Sequence, residues 1–284
     1  MNINSIFMRF PGGLSKALTL SYDDGVEEDL RLIEIMKQNG LCGTFNLNSG
    51  RLMTAEEYNK TPRDYGKRLA LKQAAELYSV DGIEPALHTY SHTHLNTLPP
   101  AQVAYEVMKD REQLETLFGR VIRGMAYPYG TYSDETVEVL RNCGILYSRT
   151  VISNEDFKIP TDWLRLPATC HHKNAHLPEL TQKFIEKVHK TNEQPWLFYL
   201  WGHAYEFERD HNWEVIERFA EQIGGREDIW YATNGEIFEY IEAFQHLIFT
   251  ADMMRVQNPT AKELWFFLRG QLYKIAAGET LKLD

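Results

Sequence analysis

The sequence predicts an α/β fold built on a parallel sheet, closed or nearly closed into a barrel. Three observations carry this. Short β-type runs alternate with amphipathic segments over residues 16–249, the pattern of parallel strands joined by crossover helices. About seven such units in about 250 residues favour a barrel over an open sheet. The composition, 43% apolar and 25% charged over 284 residues, supplies a sizeable core for one large domain.

In chain order, residues 17–21 form the first strand. The segment 27–38 follows as a helix, with Leu30, Ile33 and Ile35 set among charges and Asn39-Gly40 as its stop. Gly43-Thr44-Phe45-Asn46-Leu47 reads as a second strand. Residues 51–64 are polar and unpatterned, an exposed insertion placed to border a site. Helical spacing returns over 67–78, and Glu84-Pro85-Ala86-Leu87-His88 is a short third strand with Pro85 at its start. The helix over 100–118 has Pro99-Pro100 at its head and Gly119 at its end. A weak strand at 125–128, a helix over 133–142, and strands at 144–148 and 163–167 come next. Residues 177–191 are helical, and Trp196-Leu197-Phe198-Tyr199-Leu200 is an apolar run of the buried parallel kind. A helix over 213–223, a last core strand at 228–233 and a helix over 236–249 complete the alternation. Beyond them two β-type runs flank Arg269-Gly270, so the chain divides into a barrel over 1–250 and a short antiparallel β appendage over 251–284.

The formal charge of −10 argues against a nucleic-acid or anionic-membrane partner, because phosphate binding needs clustered Lys and Arg. No stretch approaches the roughly 20 apolar residues of a membrane span, and residues 1–13 lack the layout of a secretory leader. Cys42, Cys143 and Cys170 are widely spaced with no CxxC pair, as expected of reduced thiols in a cytoplasmic protein. Oligomeric state is not legible.

The chemistry gathers at strand ends, where α/β folds build their sites. Tyr22-Asp23-Asp24-Gly25 sets two carboxylates where the first strand gives way to a helix. A plain Asp-Gly turn would look the same. What separates the two readings is His88-Thr89-Tyr90-Ser91-His92, two histidines four apart just after the third strand. Together with Asp24 they offer three ligands and leave a position for water, the form of a catalytic zinc site. Imidazole suits zinc and its first-row neighbours, so Zn2+ is expected first, with Co2+ or Ni2+ next. Asp23 then stays free as a base.

These two motifs resemble the first two motifs of the polysaccharide deacetylase family (carbohydrate esterase family 4, the NodB-homology domain). The resemblance covers residues 16–249 and implies a distorted (β/α)7 barrel. It also implies Asp24, His88 and His92 as ligands of one divalent ion, with Asp23 as the catalytic base. The third motif is matched by Pro128-Tyr129-Gly130, with the Tyr129 N–H implied at the oxyanion, but Ala126 stands where many members carry an Arg that steadies the base. Arg165 is the candidate replacement, although an ordinary surface ion pair suits it as well. Leu200-Trp201-Gly202-His203 fits the fifth motif, which makes His203 the general acid. Asp162-Trp163 is the best candidate for the fourth, with Asp162 as a partner for His203 and Trp163 as a groove wall. Trp201 is a candidate for stacking on a sugar. Cys170-His171-His172 lines the pocket or holds a second ion, although no partner Cys or His sits at a recognised spacing.

The implied activity is metal-dependent removal of an acetyl group, foremost N-acetyl from an amino sugar of an oligo- or polysaccharide. The implied partner is the acetylated carbohydrate substrate. O-acetyl ester cleavage, hydrolysis of a small cyclic amide, and a catalytically silent carbohydrate-binding protein are the alternatives.

Overall fold

The computed structural model describes residues 6–283. The first half of the chain runs β1 (Ile6–Arg9), β2 (Lys16–Asp23), α1 (Asp29–Gln38), β3 (Gly43–Leu47), α2 (Ala55–Lys60), α3 (Leu71–Leu77), β4 (Ile83–Leu87), α4 (Pro100–Phe118), β5 (Gly124–Ala126) and α5 (Asp134–Asn142). The second half runs β6 (Tyr147–Ser153), β7 (Leu166–Ala168), β8 (Cys170–His171), α6 (Leu177–Glu186), β9 (Trp196–Gly202), α7 (Tyr205–Arg209), α8 (Glu214–Ile223), β10 (Trp230–Tyr231), α9 (Asn234–Gln245), β11 (Ile248–Phe249), β12 (Arg255–Gln257), β13 (Leu264–Leu268), β14 (Gln271–Ile275) and β15 (Thr280–Lys282). Local signals explain several ends. Gly119 closes α4 in the left-handed conformation at φ 64, and the Ser133 hydroxyl accepts the Thr136 N–H at the head of α5.

The central sheet is parallel, in the order β7-β6-β5-β4-β3-β2-β9-β8, with β10 also on β2. β7 and β8 are the halves of one bent strand. At the bend the Thr169 N–H reaches the Tyr199 carbonyl at 2.9 Å, so this strand pairs with β6 on one side and β9 on the other. The sheet thereby closes, and β2, β3, β4, β5, β6, the bent strand and β9 give seven strand positions. The expected distorted (β/α) barrel is what the chain forms.

Alternation along the strands sorts side chains to two faces. Leu18, Leu20, Tyr22, Phe45, Leu87, Phe198 and Leu200 join one apolar cluster with Leu32, Val103, Val107, Ile216 and Phe219 of the surrounding helices. Burial of each such side chain stabilises the fold by about 1.5–3 kcal/mol. Several inward positions are polar, and they form hydrogen bonds, as buried polar groups generally must. Near the amino ends of the strands, Glu84 accepts from Thr44, Tyr147 and the Gly235 N–H at 2.7–2.9 Å. Asn234, at the head of α9, meets Thr19 and Tyr199 there. That end is plugged, which leaves the carboxyl ends for the site.

The tail forms the expected antiparallel hairpin, β13 with β14. β1 adds to it, pairing Ile6 with Leu268 through Arg9 with Trp265. A second small sheet joins β11, β12 and β15. The insertion at 51–64 contains the helix α2, capped reciprocally by Thr54 and Glu57. Among the described residues no helix is long and apolar enough to cross a membrane.

Candidate active site

Asp23 ends β2 and Asp24 leaves it. Asp24 has φ 92 and Gly25 φ 69, a turn of the chain that lets adjacent carboxylates face one pocket. The Asp24 N–H is held by the Asn46 carbonyl at 2.9 Å. His88 follows β4, its N–H shared between the Leu47 carbonyl at 2.8 Å and Asp110 at 3.1 Å. Asn48 bonds the carbonyls of His88 and Thr89. Thr89 at φ 63 and His92 at φ 59 then swing the chain back. Strained backbone of this kind gathers at functional sites because surrounding contacts fix it. The outcome is that ligand atoms of Asp24, His88 and His92 all lie within 4.8 Å of one another.

The donor set fits a divalent ion. His88 Nδ1 lies 2.8 Å from the Ala126 carbonyl, which can only accept, so Nδ1 carries the proton and Nε2 keeps its lone pair for the site. Burial lowers the His88 pKa despite Asp23 and Asp24. Burial, then the His88 charge, pushes His92 down to about 4. Both rings are neutral at pH 7, as ligation requires.

Asp23 is 3% exposed and has donors and rings close to its carboxylate. Asn46 donates to Oδ1 at 2.9 Å, and Arg149 donates to Oδ2. Nε2 of His88 and Nε2 of His203 each lie 3.8 Å from Oδ2. Burial alone would raise its pKa, but Arg149, His88 and His203 hold it well below the usual carboxylate range.

Arg149 makes the contact with Asp23 that was expected of the arginine missing from the third motif. In the sheet its backbone stands opposite Ala126, in register between β5 and β6. The guanidinium thus comes from the neighbouring strand at the same level, and the small Ala126 side chain sits beside it. Arg149 is wholly buried, and its guanidinium lies 4.3 Å from the centroid of the Trp201 ring. Arg165 does not reach Asp23. It bridges Asp162 and Asp134 at 2.7 Å each.

Across the pocket, His203 Nδ1 lies 3.3 Å from Oε2 of Glu206. Glu206, not Asp162, is therefore the carboxylate on His203. Burial pulls the His203 pKa down, but the Glu206 hydrogen bond and the charges of Asp23 and Asp24 leave it above the usual value. Glu206 also meets His171 at 3.1 Å, Lys173 at 2.9 Å and Arg209 at 3.3 Å. His171, His203 and Glu206 bring ligand atoms within 4.8 Å of one another, yet the arrangement is a hydrogen-bonded one. The Lys173 N–H donates to His171 Nδ1 at 3.1 Å, so His171 Nε2 bears the proton that faces Glu206.

Pro128 is buried at the head of a tight turn, and Tyr129 follows at φ 57, half exposed. The Tyr129 ring lies flat on His94 at 4.0 Å and edge-on to His92 at 4.5 Å. Trp201 is 7% exposed, with Arg149 on its face and His171 at its edge, which leaves little of it open to a sugar. Trp163 packs edge-on against Phe238 of α9 at 5.2 Å, among the groups at the plugged end. The structure thus brings Asp23, Asp24, His88, His92, Tyr129 and His203 together and leaves Asp162, Trp163 and Arg165 outside. Arg149 and Glu206 are the two additions. The spacing His203-x-x-Glu206 was a usable signal for the second. For Arg149 the sequence offers no local signal, since strand register places it.

Residues 12–148 match the family model "Polysaccharide deacetylase", the family that the motifs resemble. Among solved structures, the chain is similar to a putative polysaccharide deacetylase from Mycobacterium smegmatis, at 17% identity over 83% of this chain and 93% of that one, with a TM-score of 0.57. It is also similar to a Streptococcus pyogenes deacetylase in complex with acetate, at 20% identity over 59% and 69% of the two chains, with a TM-score of 0.47. A family 4 carbohydrate esterase from Streptomyces lividans, in complex with acetate, shares 16% identity over 76% and 92%, with a TM-score of 0.48. The first of these shows the common fold. No curated protein sequence matches the chain.

Proposed function

From the match of residues 12–148 to the polysaccharide deacetylase family model, we propose that the protein is a metal-dependent hydrolase that removes an acetyl group, foremost N-acetyl from an amino sugar of an oligo- or polysaccharide. One observation carries the reading. An ionised, arginine-held Asp23 stands beside a three-ligand cluster, with His203 on its far side.

Asp24, His88 and His92 would hold the ion, Zn2+ first, with Co2+ or Ni2+ suited to the same donors. When bound, such an ion polarises a carbonyl and acidifies water toward a pKa of about 7. The work of the chain divides among three groups. Asp23, kept ionised by Arg149, takes the proton of the attacking water. The Tyr129 N–H, at the exposed turn beside His92, supports the oxyanion. His203, whose protonated form Glu206 favours, gives its proton to the departing amine, without which an amide does not cleave readily. An ester needs that proton less, so dependence on His203 separates N- from O-acetyl chemistry.

The test is acetate release from a panel of N- and O-acetylated sugars with zinc, cobalt or chelator present. Release from N-acetyl substrates that chelator abolishes and metal restores is expected. Glycan binding without turnover under every metal would favour a silent carbohydrate-binding protein, and unchanged turnover in chelator would remove the ion from the mechanism. D23N should lower kcat by about a hundred- to ten-thousand-fold. Unchanged acetate release from this variant would show that another group is the base.

A further inference from the structure

Asp24, the proposed metal ligand, already carries a cation of the chain's own. Arg68 Nη2 lies 2.8 Å from Asp24 Oδ1, and Nη1 donates to the Asp24 backbone carbonyl. The same Oδ1 is the oxygen 3.5 Å from His92 Nε2. The contact is enclosed, with Arg68 and Asp24 side chains only 15% and 10% exposed. It is also built in by the backbone. Arg68 bridges Val26 in antiparallel fashion, the Leu69 N–H reaches the Gly25 carbonyl at 3.0 Å, and the Glu27 N–H reaches Lys67 at 2.9 Å. The chain that returns from the 51–64 insertion is thus stitched to the turn that presents Asp24.

We propose that Arg68 is a positioning residue that holds Asp24 in its ligating orientation and, by sharing its charge, weakens the site's grip on a divalent ion. This rests on the metal reading above. Two effects oppose each other. Fixing one carboxylate rotamer in advance favours ion binding modestly. A guanidinium on the same carboxylate repels a doubly charged ion at close range in a partly desolvated pocket, a larger effect. The repulsion wins. A bound ion would also receive less negative charge from Asp24 and so draw more strongly on the acetyl oxygen.

The experiment measures metal affinity rather than turnover. Metal-free wild type, R68M, R68Q and R68K are titrated with Zn2+ or Co2+ against a chromogenic chelator, with thermal melts to show that each is folded. The neutral variants R68M and R68Q should bind the ion at least tenfold more tightly, and R68K should stay near wild type. A merely structural Arg68 would give weaker or unaltered binding in the neutral variants, and that result would overturn the proposal. If no variant and no wild type binds the ion, the metal reading falls and this inference with it. The two failures are therefore distinguishable.

Discussion

Arg149 and Asp23, the proposed base, form a buried pair, and neither is stable there alone. Both are essentially inaccessible, so removing the guanidinium leaves a carboxylate unpaired in the barrel. Breaking such a pair costs about 3–5 kcal/mol. We expect R149M to lose about that much in urea unfolding, and the double variant D23N/R149M to lose less. A second expectation concerns pH. His203, the proposed general acid, could act only while protonated, and Glu206 holds its pKa above the usual value, so kcat should fall as pH rises through that pKa. In E206Q the support is gone and the alkaline limb should move to lower pH; a profile unchanged in E206Q would detach Glu206 from the acid. These residues also mark what was legible. Asp23-Asp24 and His88-x-x-x-His92 are short-range patterns, readable because one turn of chain sets each. The Arg149 contact spans 126 residues and exists only through strand register, which no local pattern encodes. Arg165 lay near a motif in sequence, but its strand partners placed it in surface ion pairs.

At the scale of elements, the helices were legible where apolar period and caps agreed, as in α4 and α5, and the strands where β-branched and aromatic runs met turn residues. α2 was missed because it is six residues long with no buried side chain. Its only signal was the Thr54/Glu57 capping box. The strand at 144–148 was placed early, since β6 runs over Tyr147–Ser153 and its last three residues are exposed. The first turn of α1 carries a testable group. Asp29 is wholly buried and accepts from the Val26 N–H at 3.1 Å and Tyr78 at 2.6 Å. Burial pushes its pKa up to about 8, whereas in the unfolded chain it titrates near its ordinary value of about 4. Between those values the folded state binds more protons than the unfolded one. The stability that this group contributes is present at low pH and is lost as pH rises toward 8. Between pH 5 and 8 the unfolding free energy of wild type relative to D29N should therefore decline, the difference cancelling the opposite trend of histidines that bury neutral, such as His92 and His189. An identical slope in both would remove Asp29 as its source.

For the whole molecule, the alternation of strand and helix made the barrel legible, while the joining of its two chain ends was not. β1, β12 and β15 are three or four residues each, too short for a period, and they are strands only because distant partners accept them. Their packing has a consequence for unfolding. Met8 and Phe10 share one apolar cluster with Ala17 and Leu197 of the barrel, Ile237 and Ile241 of α9, and Phe266 and Ile275 of the tail. The tail therefore packs directly on the first residues of β2 and β9 through Ala17 and Leu197, and so couples to the barrel. Phe266 is fully buried and stacks on Tyr273 at 5.5 Å. F266A should cost about 3–5 kcal/mol, and the loss should be felt across the barrel. Native-state hydrogen exchange checks this directly. In wild type the amides of β13 and of β2 should open with the same free energy, and F266A should lower both by the same amount. Early opening of β13 with β2 untouched would show that the tail is a separate cooperative unit, and would confine the cluster around Phe266 to holding the appendage alone.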